Sequence, residues 1–410
     1  MLLSENKSRH SKFYFCFLCC LVYFTSYLTR IDYSAVLVEI IDDLNISKEL
    51  ASIAVTGSFI TYGLGQLVSG FLGDHIAPRR MIAMGLCATS VVNILMSVLP
   101  NIYVMTVFWC FNGFFQAMLW PPLVRIMAEN MDDAFYAKAS VLVSAAASVA
   151  TIFVRSLLAP VTILVAGWRP VFIIAGCVGF LVVVLWYTGT RSIAGSNRVK
   201  PNAGSASDTP TVSLRILAAS GAFIAMAGII LQGILRDGID TWMPTYIREV
   251  FSLGSSVSIL SSSILPIFSI FSVSVASILH KKIGNELKTS ALLFAVAMAA
   301  SLAILPVFSS SIILSALLMA VITGCMHGIN LMLISRLPVA FKRYGKVSTI
   351  SGILNACTYV GSALSTYGFA RFSELYGWYF IIVTWAVVAA LGAIVCGCCI
   401  RRWQRFTEQK

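Results

Sequence analysis

Charged residues are scarce in this sequence, and acidic residues are the scarcest of them. Asp, Glu, Lys and Arg together make up only 11% of the 410 residues, whereas hydrophobic residues make up 58%. That leaves too little polar surface to cover a water-soluble globule, so the composition excludes a soluble enzyme or a soluble binding domain. The mean hydropathy of +0.87 indicates that lipid is the solvent for most of the chain.

Signatures of chemistry are also lacking. The sequence contains no glycine-rich nucleotide-binding segment, which argues against ATP-driven pumping. The 11 cysteines are scattered through apolar segments and show neither metal-ligand spacing nor a disulfide framework. We therefore expect no catalytic residue, no cofactor and no metal.

What the sequence does contain is a series of long apolar runs. They lie at roughly 13–41, 50–73, 81–99, 103–129, 137–165, 168–190, 214–247, 254–280, 286–306, 309–337, 344–371 and 375–401, and each is long enough to cross a hydrocarbon core about 30 Å thick. Proline or glycine interrupts several of them, and we expect bends at Pro121–Pro122, Pro160, Pro266 and Gly361. The runs predict an all-α integral membrane protein with twelve transmembrane helices.

The net charge of +12 does not indicate a nucleic-acid partner, because of where the basic residues lie. Most Lys and Arg residues outside the apolar runs fall in the two termini and in the even-numbered loops. Only Lys48, Arg169, Arg248 and Arg371 fall in the odd-numbered loops. By the positive-inside rule, this asymmetry predicts a multi-pass protein of the cell membrane with both termini in the cytoplasm. We expect a monomer in membrane lipid.

The chain divides into two halves that resemble each other. Residues 191–213 are polar and rich in Gly, Ser and Pro, which is typical of a linker, so we predict six-helix bundles over 1–190 and 214–410 with a cytoplasmic linker between them. Arg30 lies inside the first run and Arg236 inside the seventh. Asp74 follows Arg30 at the same distance at which His280 follows Arg236. Such a parallel repeat is the pattern that relates the two pseudo-symmetric halves of major facilitator transporters.

Four arginines lie inside apolar runs, where each costs on the order of 2.5–3.5 kcal/mol to insert. For Arg30 a functional role is favoured over a structural ion pair, because Tyr23 and Tyr27 lie on the same helical face. Arg236 has Asp240 four residues on, a possible charge partner. Arg125 lies near the end of its run, where pairing or snorkelling is favoured, and the role of Arg155 stays open.

Longer strings resemble a known family. YLTRIDYS, ITYGLGQLVSGFLGDHIAPR, FNGFFQAMLWPPLVR and ILRDGIDTWMPTYIREV, with the segment around Tyr359, resemble the organophosphate:phosphate antiporters of the major facilitator superfamily, the glycerol-3-phosphate transporters among them. The resemblance implies the major facilitator fold. It also implies that Arg30 and Arg236 bind the substrate phosphate, and that the site is lined by Tyr23, Tyr27, Tyr62 and Trp120.

Other positions match or depart from that family. The turn after the second run resembles the conformational motif of the superfamily, with Gly70, Gly73, Asp74, Arg79 and Arg80 as its members. Gln66 stands where the family has a lysine, Ala147 where it has a histidine, and Gly233 where it has a tyrosine. His327 and Tyr359 are candidate lining residues, although structural hydrogen bonding and packing are open alternatives for them. The departures mean that glycerol-3-phosphate specificity cannot be carried over.

These observations predict a secondary active transporter of a small organic anion that works by alternating access. The favoured substrate is a sugar phosphate or glycerol phosphate, in exchange for inorganic phosphate in one version of the hypothesis. Two alternatives stay open: a transporter of a small organic carboxylate, because arginines and tyrosines do not require phosphorus, and a transporter-like membrane sensor. The sequence leaves the organic part of the substrate and the counter-ion undetermined.

Overall fold

The computed structural model describes residues 8–191, 222–337, 340 and 347–408. Throughout these ranges the chain is helical, and no strand is assigned in them. The chain groups into two compact units, Met1–Gly204 and Ser205–Lys410. Residues 192–213 of the predicted linker lie outside the described ranges, so the predicted domain boundaries stay a prediction.

The first unit contains six long helices, several of them interrupted. They are α1 (Ser8–Ala35, continued by Leu37–Asp43), α2 (Lys48–His75), α3 (Pro78–Met96), α4 (Ile102–Gln116, continued by Trp120–Asn130), α5 (Asp133–Phe153, a π-helical segment Val154–Leu158, then Ala159–Ala166) and α6 (Arg169–Gly189).

The second unit repeats this arrangement. Its helices are α7 (Ala222–Phe251), α8 (Ser255–Ser261, continued by Ile264–Ile283), α9 (Glu286–Ile304) and α10 (Ile312–Asn330, ending in a π-helical segment Leu331–Arg336). The last helical stretch, Val347–Glu408, is divided by the non-helical Gly377 into α11 (347–376) and α12 (378–408). The described residues thus form six helices in each unit, which confirms the predicted fold class.

Nine stretches of the described residues are long and apolar enough to cross a membrane by length and composition. They include every helix except α2 and α7, with α11 and α12 taken together. The absence of α7 follows from its charge, since Arg236, Asp237 and Asp240 lie within a single turn or so of its middle. A membrane helix that carries so many ionisable groups must turn them toward protein or water rather than lipid.

The bend predicted at Gly361 is wrong, because α11 continues through it and the non-helical residue of Val347–Glu408 is Gly377. The predicted proline bends are confirmed by irregular helix close to each proline. The second segment of α4 begins one residue before Pro121, the π-helical segment of α5 ends two residues before Pro160, and the second segment of α8 begins two residues before Pro266. Proline lacks a backbone N–H and its ring clashes with the carbonyl four residues earlier, so the preceding turn must open or widen.

Each unit closes with the same kind of turn. Gly167 precedes α6 with φ of 80°, and Gly377 precedes α12 with φ of 77°. The tryptophan after each glycine donates its indole N–H to an acid near the C-terminal end of the first helix of the same unit: Trp168 to Asp43 at 3.1 Å, and Trp378 to Glu249 at 2.8 Å. Glu249 follows Asp43 at the distance at which Arg236 follows Arg30, so the turn is part of the repeat.

Glycines set the closest helix crossings in both units. A Cβ on Gly113 of α4 would lie 2.2 Å from the carbonyl oxygen of Ser58 on α2. A Cβ on Gly361 of α11 would lie 2.0 Å from the carbonyl oxygen of Ile230 on α7. Because the obstructing atoms belong to the backbone, only glycine permits these approaches.

Candidate functional site

Arg30 of the first unit lies among aromatic rings. Its guanidinium carbon is 4.4 Å from the ring centroid of Tyr62 and 5.7 Å from that of Tyr27. The rings continue from there, since Tyr27 and Tyr23 lie 5.2 Å apart and Tyr23 lies 4.6 Å from Trp120. The structure therefore brings together in one patch all five of the predicted site residues of this unit that carry a ring or an arginine.

A tyrosine face stabilises a cation through its quadrupole and does not neutralise its charge. Gln66, the remaining predicted residue of this unit, is half-buried on α2, and its amide nitrogen has no hydrogen-bond partner among the described residues.

Below Arg30 along α1 lies a buried polar network that the sequence analysis did not identify. The Gln116 amide donates to the Thr29 hydroxyl at 2.8 Å, and the Ser26 hydroxyl donates to the Gln116 carbonyl at 2.8 Å. Asn93 and Asn112 both donate to the main-chain carbonyl of Thr29, at 3.1 and 2.9 Å. Asparagine and glutamine inside apolar runs were the available signal, because polar groups at membrane depth are costly unless bonded.

This network adjoins a small cavity. Arg30, Tyr62, Asn112 and Gln116 are among its lining residues, with Ser58, Phe59, Trp109 and Gly113. A permanent cation and neutral amide groups thus face the same space. That lining suits a small anion that also carries hydroxyl groups.

Arg236 of the second unit is held differently. Its Nε donates to Asp237 Oδ1 at 2.7 Å and its Nη2 donates to Asp237 Oδ2 at 2.8 Å, so a carboxylate occupies the planar fork. Ser362 of α11 donates its hydroxyl to the same Asp237 Oδ2. Both charged side chains are 15% exposed. Asp237 was missed by the sequence analysis, which considered only the partner four residues on.

The other predicted residues of this unit surround the pair. Asp240 is half-buried on α7, and its predicted pairing with Arg236 stays a prediction. His327 of α10 lies within electrostatic range of Arg236, Asp237 and Asp240. Tyr359 is buried on α11, one turn before Ser362.

The predicted conformational motif is described only in part. Gly70, Gly73 and Asp74 belong to the last turns of α2, but the Asp74 side chain lies outside the described structure. Arg79 is buried, donates from Nε to the Thr190 hydroxyl at 3.1 Å and from Nη2 to the Tyr187 carbonyl, and lies over the Tyr187 ring. Arg80 is exposed. Arg79 therefore ties the start of α3 to the end of α6.

Two further arginines lie inside the apolar runs. Arg125 pairs with Glu129 at 2.9 Å, so of the two predicted alternatives, pairing and snorkelling, the structure shows pairing. Arg155 is fully buried in the π-helical segment of α5.

Comparison with known proteins agrees with this architecture. The chain is 34% identical over 103 residues to a probable hexose phosphate transport protein of Chlamydia trachomatis, covering 25% of this chain and 23% of the relative. It is 29% identical over 161 residues to the membrane sensor protein UhpC of Escherichia coli, covering 38% and 35%. It is 25% identical over 247 residues to the glycerol-3-phosphate transporter of Bacillus subtilis, covering 54% of each chain. The matched region thus spans about a quarter to a half of these relatives.

A solved structure and a family model cover much more of the chain. A crystal structure of a mutant of the peptide transporter POT in complex with sulfate superimposes with a TM-score of 0.75 at 14% identity, covering 95% of each chain, which shows the fold alone. The model of the Major Facilitator Superfamily matches residues 17–366. With its multi-pass helical architecture, the chain belongs to the Major Facilitator Superfamily.

Proposed function

We propose that the chain is a secondary transporter of a small organophosphate, a sugar phosphate or glycerol phosphate, that works by alternating access. The observation that carries the proposal is the pair of intramembrane arginines at matching places in the repeat. Each lies among polar or aromatic side chains in its own unit. The names of the relatives, a hexose phosphate transport protein and a glycerol-3-phosphate transporter, support the same substrate class.

Arg30 and Arg236 bind the phosphate group in this proposal. Guanidinium is planar and permanently charged, and its N–H groups match two oxygens of a phosphate at once. Tyr23, Tyr27, Tyr62, Gln66 and Trp120 line the first unit's share of the site, and His327 and Tyr359 line the second unit's share. The neutral Gln66, with Asn112 and Gln116 of the buried polar network around Thr29, forms hydrogen bonds with the hydroxyl groups of the organic part.

We place the protein in the cell membrane as a monomer with both termini in the cytoplasm. Arg79 and Arg80 belong, with Gly70, Gly73 and Asp74, to the motif that closes the cytoplasmic side. Labelling of single cysteines introduced at Ser205 and Asn101 tests the orientation: only the first should react from the cytoplasmic side. If the cysteines at both positions react from the same side, the predicted topology, with an even number of helices and both termini in the cytoplasm, is wrong.

A second candidate function is a membrane sensor. The similarity to UhpC, which is named as a sensor, favours it. A sensor binds its ligand without net transport, so the two candidates separate in proteoliposomes. Ligand binding without uptake or exchange would identify the sensor. Binding of dicarboxylates in preference to phosphates would instead identify the carboxylate transporter.

The central test replaces each arginine by lysine, which keeps the charge and removes the fork. Arg30→Lys and Arg236→Lys should each weaken binding of the best organophosphate more than tenfold, because charge-assisted hydrogen bonds contribute about 1.5–3 kcal/mol each. The double variant should be little worse than either single one, since both arms serve one ligand. Arg125→Lys, at the Glu129 pair, is the matched control. Wild-type affinity in either single variant would refute the shared phosphate site.

A further inference from the structure

Asp237 and a substrate anion need the same edge of Arg236. The Asp237 carboxylate takes both Nε and Nη2 of the guanidinium, at 2.7 and 2.8 Å. These two donors form the fork that a phosphate engages bidentately. If Arg236 binds substrate, as in the proposed function on which this inference rests, the substrate must compete with Asp237 for that fork.

The competitor is held firmly in place. Ser362 donates its hydroxyl to Asp237 from the neighbouring helix α11. Gly361, the residue before it, brings α11 against the backbone of α7, with a Cβ position only 2.0 Å from the Ile230 carbonyl. Gly233 of α7 makes a similar close approach to α11, since a Cβ on it would lie 2.2 Å from the Thr358 carbonyl oxygen. The close packing of α11 on α7 therefore keeps Ser362 beside Asp237.

Charge makes displacement of an ionised Asp237 costly. A phosphate bound at Arg236 would stand beside a carboxylate in surroundings that are 85% closed to solvent, where like charges repel strongly. One proton on Asp237 removes that charge. It also converts a carboxylate oxygen from an acceptor to a donor, which can then bond the incoming anion instead of opposing it.

The helices packed around Asp237 carry other titratable groups. They include Arg236 and Asp240 on its own helix, Cys325 and His327 on α10, and Cys357 and Tyr359 on α11. His327 lies within electrostatic range of Arg236, Asp237 and Asp240. The Ser255–Ser261 segment of α8, which packs on α7, has none. Asp237 occupies both donors of the Arg236 fork, and its side chain loses its charge on protonation.

We propose that Asp237 is a proton-binding site, and that the chain carries one proton together with each organophosphate anion. Asp237 takes the proton from water on the side where substrate binds, and Arg236 is then released to the phosphate. On the opposite side, substrate leaves, Asp237 loses its proton to water, and the Arg236–Asp237 ion pair forms again. The neutral ion pair lets the empty carrier return, so the arrangement produces symport with a proton.

The test measures the dissociation constant of a hexose phosphate for the reconstituted wild type and for Asp237→Asn between pH 6 and pH 8.5. Coupling to one proton predicts that the ratio of wild-type to variant dissociation constants rises up to tenfold per pH unit in the alkaline range. Titration of the phosphate itself cancels in this ratio. Asp43→Asn, which removes an exposed carboxylate at the end of the first helix, is the control and should keep the wild-type pH dependence. The proposal is overturned if Asp237→Asn keeps the wild-type pH dependence, or if Asp240→Asn loses that dependence and Asp237→Asn does not.

Transport provides the second readout. A pH gradient across proteoliposomes should drive accumulation by the wild type and by Asp237→Glu, which keeps an ionisable group, whereas Asp237→Asn should exchange substrate without accumulating it. Asp237→Glu also covers the case in which Asp237→Asn does not fold: accumulation independent of the pH gradient in the wild type and in Asp237→Glu overturns the proton site. No binding of any phosphate compound at any pH would overturn the organophosphate function and the proton site together. Binding with an unaltered pH profile overturns only the proton site.

Discussion

Arg30 and Arg236 stand at matching places in the two units, yet different groups hold them. Arg30 lies over the ring of Tyr62, while Arg236 is gripped by the carboxylate of Asp237. Aromatic rings stabilise a cation without cancelling its charge, whereas a carboxylate cancels it. The second unit therefore offers an anion the charge of Arg236 only when Asp237 gives way.

The difference depends on one step of register. Asp32 follows Arg30 by two residues, and its carboxylate accepts the backbone N–H of Tyr33 at 2.9 Å. Asp237 follows Arg236 directly. Two steps along a helix turn a side chain about 200° away, but one step turns it only about 100°, within reach of a long arginine. A repeat can thus keep its arginines and still differ in the groups that control them.

The largest effect on the difference between Arg30 and Arg236 is expected from a substitution that separates α11 from α7. In Gly361→Ala the new methyl group meets backbone atoms of α7 at 2.0–3.0 Å, so Ser362 must withdraw from Asp237. We expect a loss of folded yield and a drop in Tm of several degrees, because the overpacking cannot be relieved by a rotamer change and costs about 1–3 kcal/mol. Gly368→Ala on the same helix, with its nearest atom 4.0 Å away, should leave the Tm unchanged or raise it. Size-exclusion profiles and thermal denaturation in detergent compare the two.

Removal of the Tyr62 ring tests how much the aromatic contact supports Arg30. Tyr62→Leu should weaken substrate binding by about 3- to 30-fold, since a cation–π contact contributes roughly 0.5–2 kcal/mol. Tyr62→Phe keeps the ring and should stay within about threefold of the wild type if the ring face, rather than the hydroxyl, supports the arginine. Calorimetric titration of both variants measures the effect. Equal losses in the two would show that the hydroxyl contacts the ligand.

Ser362→Ala removes the hydrogen bond from the Ser362 hydroxyl to Asp237 without disturbing the helix packing. Loss of the hydroxyl removes one donor to the ionised carboxylate, so the ionised form becomes less favourable. The pH at which binding is half-maximal should move upward, with little change in affinity at low pH, because the removed bond contributes only about 1–3 kcal/mol to the charged form. Ser365→Ala, whose hydroxyl donates to the Ser362 carbonyl on the same helix, is the control. A shift of equal size in Ser365→Ala would mean that α11 moved as a whole.

The smallest effect belongs to the exposed end of the first unit. Hydrogen bonds from Arg169 and then from Trp168 hold the pKa of Asp43 below its usual range. A lowered pKa in the folded state stabilises the protein above the pKa of the unfolded chain, and the gain is lost as the pH falls through the lowered value. Asp43→Asn should therefore cost at most about 1 kcal/mol at neutral pH and nothing in strong acid, since both side chains are largely exposed and screened. Thermal unfolding at pH 7 and in strong acid, about pH 2, measures it, and a larger cost in acid would contradict the assignment.

The helix count, the repeat and the two arginines could be predicted because they depend on long runs and on rare charges inside them. Asp237 could not be identified, because pairing rules for helix surfaces favour partners three or four residues away and give adjacent residues no weight. The Thr29 network was equally hidden. Its partners come from α3 and α4, and only the packing of those helices shows that Asn93 and Asn112 meet at one carbonyl.

The turn at Gly377 leaves α11 and α12 with a single joint. Phe369 and Trp385, equally far on either side of it, have ring centroids 6.3 Å apart, so the two helices fold back on each other at once. Only the φ and ψ angles of one residue separate them. The two helices should therefore move as one stiff unit. A tilt of α11 that moves Tyr359 and Ser362 is then transmitted directly to α12.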